Sequence, residues 1–178
     1  MNEVYLLITA KRNDENNKMI MKTINMKKML IALDFNPTAQ KVAEVGYSLA
    51  KSLGAEVVLL HVLVDPLYYS AIENFPIAGY SGTLITPLQI VDTDATKKGS
   101  RLFLDKIKQH LGDDTIQTLL KEGDFADVIL TSANEWHADM IVMGSHSRRW
   151  LDEILMGSVT EEVLHHTTIP LFIIPTHK

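Results

Sequence analysis

The chain has 178 residues, 46% hydrophobic and 22% charged, which is the length and composition of one ordinary globular domain with a possible tail. Seventeen basic against 22 acidic residues give a formal net charge of −5, so a broad basic surface for nucleic acid is disfavoured. The absence of cysteine excludes disulfides, thiolate nucleophiles and cysteine zinc sites, and no apolar run approaches the roughly 20 residues of a membrane-spanning helix.

Residues 1–26 form an amino-terminal extension that reads differently from the remainder. Val4–Ala10 (VYLLITA) is a short apolar run, and Lys11–Lys18 (KRNDENNK) is polar. Glu3 precedes the apolar run and charges follow it at once, which is not the pattern of a secretory signal; the cytoplasm is the expected compartment. Met19, Met21, Met26 and Met29 crowd this region. Two readings stand open. Either the start is over-extended and the functional chain begins at Met19, Met21 or Met26, or this is a genuine tail, loosely ordered or laid as an extra strand on a sheet edge.

From Lys28 the chain alternates strand-like and helix-like segments. Met29–Leu33 (MLIAL) suits a strand buried on both faces. Asn36-Pro37 predicts a helix start, with Asn36 as N-cap. Ala39, Val42, Ala43, Gly46, Leu49, Ala50 and Leu53 predict its packed face, and Gly54 its stop. Glu56–Val64 is a second strand. Asp65–Ile90 is irregular and holds Pro66, Pro76, Pro87 and three tyrosines; it can be a lid over a ligand or surface packing. A helix resumes near Asp92 with Leu102, Phe103, Lys106, Ile107 and His110 on one face, and ends at Leu111-Gly112. Ile116–Leu120 is a third strand, and Asp124 is expected to cap a helix carrying Ala126, Ile129, Leu130 and Ala133. Met140–Met143 is a fourth strand, Val159–His165 the last helix and Leu171–Ile174 the fifth strand. Strands alternating with helices predict βαβ units and a parallel sheet covered on both faces; periodicity does not give the strand order.

Such sheets bind ligands beyond the carboxyl ends of their strands. Asp34, Val62 and Gly144 fall at or near such ends. Gly144 has no side chain to keep a ligand from the backbone, and Gly157-Ser158 opens a helix whose free N–H groups favour an anion. Ser145, Ser147, Ser158 and Thr160 can add hydroxyl donors. The alternative is structural: Ser158-Val159-Thr160-Glu161 has the form of a capping box, and Gly144 can simply turn the chain. The spacing is neither a Walker A loop nor a dinucleotide fingerprint.

The stretch MGSHS…MGSVTEEVLHHTTIPLFIIP resembles the carboxyl-terminal half of universal stress proteins of the UspA type, whose motif is G-x2-G-x9-G-[ST]. Gly144, Gly157 and Ser158 match it in spacing, while Ser147 stands where the motif has its second glycine. KKMLIALDFNPTAQKVAEVGYSLAKSLGAEVVLLHVL extends the resemblance, which covers about Lys27–Pro175. It implies a three-layer α/β/α fold, adenine nucleotide α-hydrolase-like, with a five-stranded parallel sheet in the order 3-2-1-4-5. It also implies a homodimer formed through the last strand, Leu171–Ile174.

The resemblance further implies ATP, with Mg2+ or Mn2+, as the bound cofactor. Residue by residue, Ala32, Leu33, Asp34 and Val62 would flank adenine and ribose. Met143, Gly144, Ser145, His146, Ser147 and Arg148, with Gly157, Ser158 and Val159, would face ribose and phosphates. If position 147 needs a positive φ, serine costs about 1 kcal/mol or more there; otherwise its hydroxyl can donate to phosphate. Arg148 and Arg149 can neutralise phosphate charge or be simply solvated.

Other residues have plainer readings. His61, inside the second strand, is expected to be buried or dimer-facing. His165-His166 point to different helix faces and lack a third metal ligand. Asp34 sits at a phospho-acceptor-like position without the paired acidic residues that bind magnesium. Trp150 is expected to anchor its loop or an interface. No catalytic set is expected beyond slow ATP hydrolysis. The expected function is a cytoplasmic, dimeric, adenine-nucleotide-binding stress or metabolic sensor. The alternative is an interaction protein of the same fold that binds no nucleotide. A third reading, an adenylating enzyme, is weakened because LDFNPT stands where an S-G-G-x-D-S loop is required.

Overall fold

A computed structural model describes residues 5–7, 26–63, 93–145 and 157–176. The elements are β1 (Tyr5–Leu7), β2 (Lys28–Leu33), α1 (Ala39–Leu53), β3 (Glu56–Leu63), α2 (Thr93–Leu111), β4 (Gln117–Glu122), α3 (Phe125–Glu135), β5 (Met140–Gly144), α4 (Ser158–His166) and β6 (Leu171–Ile174). They form a sheet in the order β1-β6-β5-β2-β3-β4. β2 to β6 are mutually parallel, which is the expected 3-2-1-4-5 arrangement. β1 is an addition to it: it runs antiparallel along the outer edge of β6, pairing Tyr5 with Ile173, Leu6 with Phe172 and Leu7 with Leu171. No helix among the described residues is long and apolar enough to cross a membrane.

The near-continuous apolar runs of β2, β3 and β5 follow from burial on both faces. On one face Met29, Ile31 and Leu33 pack with Val42, Ala43 and Ala50 of α1 and with Leu104 and Ile107 of α2. On the other, Leu30, Val58 and Leu60 pack with Ala126, Ile129 and Ala133 of α3 and with Val163 of α4. The result is the predicted three-layer sandwich.

The amino ends of the strands are tied together by Asp139. Its carboxylate accepts from the Lys27 and Lys28 amides at 2.7 and 3.0 Å, and its own N–H donates to Lys28 O.

Local chemistry explains the helix ends and two departures from expectation. The Asp124 carboxylate accepts from the Ala126 and Asp127 amides, as an N-cap should. Gly54 adopts a φ of 64° and ends α1. α1 begins at Ala39, not after Asn36: the Asn36 side chain accepts from the amide and hydroxyl of Thr38, forming a side-chain turn ahead of the helix. Ile107 is buried in α2 as expected, but its stripe continues through Leu104 and Ser100 and not through Leu102, which is 54% exposed. Phe103 lies beside that stripe and packs against His61 and Phe35, which rotates Leu102 outward.

Candidate functional site

β2 has β3 on one side and β5 on the other, so the chain reverses its direction of winding there and leaves a crevice at the carboxyl ends of β2 and β5. Leu33 and Asp34 end one strand and Gly144 the other.

The α4 amino terminus is fastened to this rim. Gly157 N–H donates to Ser145 O at 2.8 Å, and the Thr160 hydroxyl donates to Gly144 O at 3.0 Å. Ser145 N–H donates to Ile174 O at 2.9 Å, joining the end of β6. The Thr176 amide donates to Ser145 Oγ at 3.3 Å, and Lys41 Nζ donates to Pro175 O at 3.0 Å. Thus Gly144 and Ser145 at the end of β5 meet Gly157, Ser158, Val159 and Thr160 at the start of α4 on one rim.

Gly157, with an extended φ of −65° and ψ of 152°, is the N-cap of α4 and offers no side-chain acceptor to the first turn. The capping box that Ser158 and Glu161 offered as the structural alternative is therefore not formed. Ser158 already lies inside the helix, and Glu161 N–H donates to Gly157 O. A first turn without a side-chain cap presents N–H donors at the positive end of the helix dipole.

Gly144 serves a purpose that its position alone did not suggest. A Cβ there would lie 2.8 Å from Thr176 Cγ2 and 3.1 Å from Val42 Cγ2. The space opened by the missing side chain is taken by the protein's own packing, so this glycine lets the tail after β6 cross the end of β5. Thr176 went unremarked in the sequence because only the fold brings it to Gly144.

The remaining candidates divide. Leu33, Val62 and Met143 are buried side chains of the two cores. Ala32 is half-buried and packs beneath the α3–α4 layer, and Asp34 is exposed at the rim, its carboxylate accepting from the Asn36 amide at 3.1 Å. His146, Ser147, Arg148, Arg149 and Trp150, like the Asp65–Ile90 loop, lie outside the described residues.

His61 is buried, as expected, at 3% exposure. Its Nδ1 lies 2.7 Å from Leu33 O. A carbonyl only accepts, so Nδ1 carries the proton and Nε2 is bare; among the described residues Nε2 has no partner. Burial pushes the imidazole pKa down, against the smaller upward pulls of that hydrogen bond and of Asp34. Phe35 and Phe103 meet it edge to face, at 4.4 and 5.4 Å between ring centroids. A hollow of about 300 Å3 lined by Tyr47, Ala55, Asp113 and Ile116 lies at the opposite, amino-end rim of β3 and β4.

Comparison with known proteins agrees with this architecture. The family model described as the universal stress protein family matches residues 25–175. The universal stress protein YxiE of Bacillus subtilis is 28% identical over 151 residues, spanning 83% of this chain and 97% of its own. The universal stress protein MJ0531 of Methanocaldococcus jannaschii is 29% identical over 174 residues, 98% of this chain and 92% of its own. Among solved structures, a universal stress protein in complex with cAMP superposes with a TM-score of 0.60 at 14% identity, covering 85% of this chain and 98% of that one. A universal stress protein from Archaeoglobus fulgidus in complex with dAMP gives 0.54 at 22% identity, covering 83% and 97%. With the family model matching most of its length and the sheet order in agreement, this chain belongs to the universal stress protein family.

Proposed function

We propose that this chain binds an adenine nucleotide, ATP in the first instance, in the crevice between the carboxyl ends of β2 and β5. We propose further that it acts as a cytoplasmic homodimeric stress or metabolic sensor. One observation carries the nucleotide reading: among the described residues no side chain caps α4, which is anchored to the end of β5, and the amides of an uncapped first turn suit an anion at the switch point of the sheet. Ser158, exposed at that terminus, adds a hydroxyl. In this reading Ala32, Asp34 and the end of β3 border the base and ribose, and Gly157, Ser158 and Val159 face the phosphates. The sensing step is a shift between loop arrangements when nucleotide binds one better than the other. The cAMP and dAMP complexes of proteins with this fold support the same ligand class.

The test is direct. The purified protein is denatured, its supernatant chromatographed for adenine nucleotide, and ATP titrated calorimetrically. Micromolar-range binding is expected, and Gly157→Val is expected to abolish it while the unfolding midpoint holds. No heat and no carried nucleotide would overturn this reading.

One observation favours the alternative, an interaction protein that takes no nucleotide. Thr176 and Val42 occupy the space at Gly144, and the amides of Ser145 and Gly157 are already bonded within the protein. The same titration separates the two.

A further inference from the structure

We infer that β1 is an intramolecular occupant of the sheet edge through which a second copy of this chain pairs, so that release of Tyr5–Leu7 from β6 lets the protein dimerise. The competitor it excludes is the homodimer partner proposed above, so that the homodimer is the released state and the monomer the resting one, and the inference rests on that part of the reading. β6 (LFII) is the outermost parallel strand, and an apolar edge of this kind is a template for another chain. Tyr5–Leu7 seals it with three residue pairs. β1 runs antiparallel to β6, and a two-fold axis normal to the sheet beside β6, which continues the sheet into a second copy, imposes that same polarity on a second β6. The two occupants therefore claim the same groups in the same sense and exclude each other. A strand of only three residues also leaves very little new edge of its own, which is how natural sheets blunt an exposed margin.

Attachment settles the contest in the resting state. Residues 8–27 join β1 to β2. A tether of that kind gives a local concentration on the order of millimolar, against micromolar for a second copy, an advantage of roughly a thousandfold. Three pairs are few enough for that advantage to be reversed when the segment is bound or cut elsewhere. The alignment with MJ0531 takes in 98% of this chain, so it reaches into the residues before Asn25 that the family model leaves out.

Two measurements on the full chain test this. Leu6→Pro with Leu7→Pro removes ladder donors whichever residue faces β6, without touching residues 26–176. Sedimentation equilibrium is expected to show the parent as predominantly monomer and the variant as a dimer bound on the order of a hundredfold to a thousandfold more tightly. Hydrogen exchange at Leu171–Ile174 should stay slow in that dimer. The chain has no cysteine, so Tyr5→Cys with Ile173→Cys supplies a clean second readout. Oxidation is expected to give an intrachain link, running as monomer on a denaturing gel without reductant, and to abolish dimerisation at every concentration. An interchain link would overturn the inference in favour of strand exchange. A proline variant with the parent's association state would overturn it too, as would a dimer whose β6 amides exchange fast. ATP calorimetry on the same variants reports separately on the nucleotide reading, which none of these outcomes decides.

Discussion

The Thr160 hydroxyl and the Gly144 carbonyl lie 3.0 Å apart, so the first turn of α4 hangs from the end of β5 by a hydrogen bond from a side chain only 3% exposed. Thr160→Val keeps the shape and leaves that carbonyl without this donor. The expected loss is about 1–2 kcal/mol, read as a lower urea midpoint at unchanged slope. ATP affinity should weaken with it, because the amides of the turn lose their anchor. Thr160→Ser should retain most of that affinity. An unchanged midpoint in the valine variant would mean that the bond contributes nothing.

Gly144 provides a second check. Gly144→Ala sets a methyl 2.8 Å from Thr176 Cγ2 and 3.1 Å from Val42 Cγ2, and should cost about 1–3 kcal/mol by overpacking. Thr176→Ser deletes the nearer of those carbons. The double variant should therefore recover part of the loss, a coupling that thermal or urea unfolding of the four proteins measures.

His61 links stability to pH. Its folded pKa lies below the ordinary value near 6.5, so below that pH the unfolded chain binds the proton and the folded one resists it. The stabilisation is complete above about pH 6.5 and is lost as pH falls toward the folded value, with a slope of at most about 1.4 kcal/mol per unit from this one group. His61→Asn, which can still donate to Leu33 O, should flatten the stability profile below about pH 6.5. Glu44, held low by Gln40 and then by His110, and Asp113, held low by Thr115, act at more acid pH. Equal slopes for parent and variant in urea titrations would exclude His61 as the source.

The end of α3 offers a gain. His137 sits at a φ of 56°, where a side chain is strained, while Ala138 N–H donates to Ala133 O at 2.8 Å to close the helix. His137→Gly should stabilise the domain by about 1 kcal/mol, a rise of roughly 2–4 °C in Tm. A lower Tm would show that the imidazole makes a contribution that outweighs the strain.

Much of this was legible because the core strands bury both faces: MLIAL, EVVLLHVL and MIVM announce themselves as apolar runs, and Asp124 and Gly54 mark helix ends by their own chemistry. The strand order came from the resemblance, since periodicity carries no information about neighbours. Leu104 was missed because Leu102-Phe103 draws the helical stripe one position off, and Phe103 turned out to serve the aromatic cluster at His61. That the amino-terminal run lies as an extra strand on a sheet edge was one of the two readings left open, but its partner was not legible, because the pairing of β1 with β6 joins residues more than 160 apart through only three positions. The role of Gly144 was half visible: its position in the motif pointed to the rim, but the methyl that fills its empty side belongs to Thr176, which no local pattern connects to it.

Asp139 grips the two amides at which the chain enters the domain, and so acts as a strain relief at the point of entry. A pull arriving along the chain from β1 falls on that clamp at the amino end of β2 and not on the rim at its far end. Release of β1 from β6 should therefore leave the crevice undisturbed, so that edge pairing and nucleotide binding can be tuned separately in one chain.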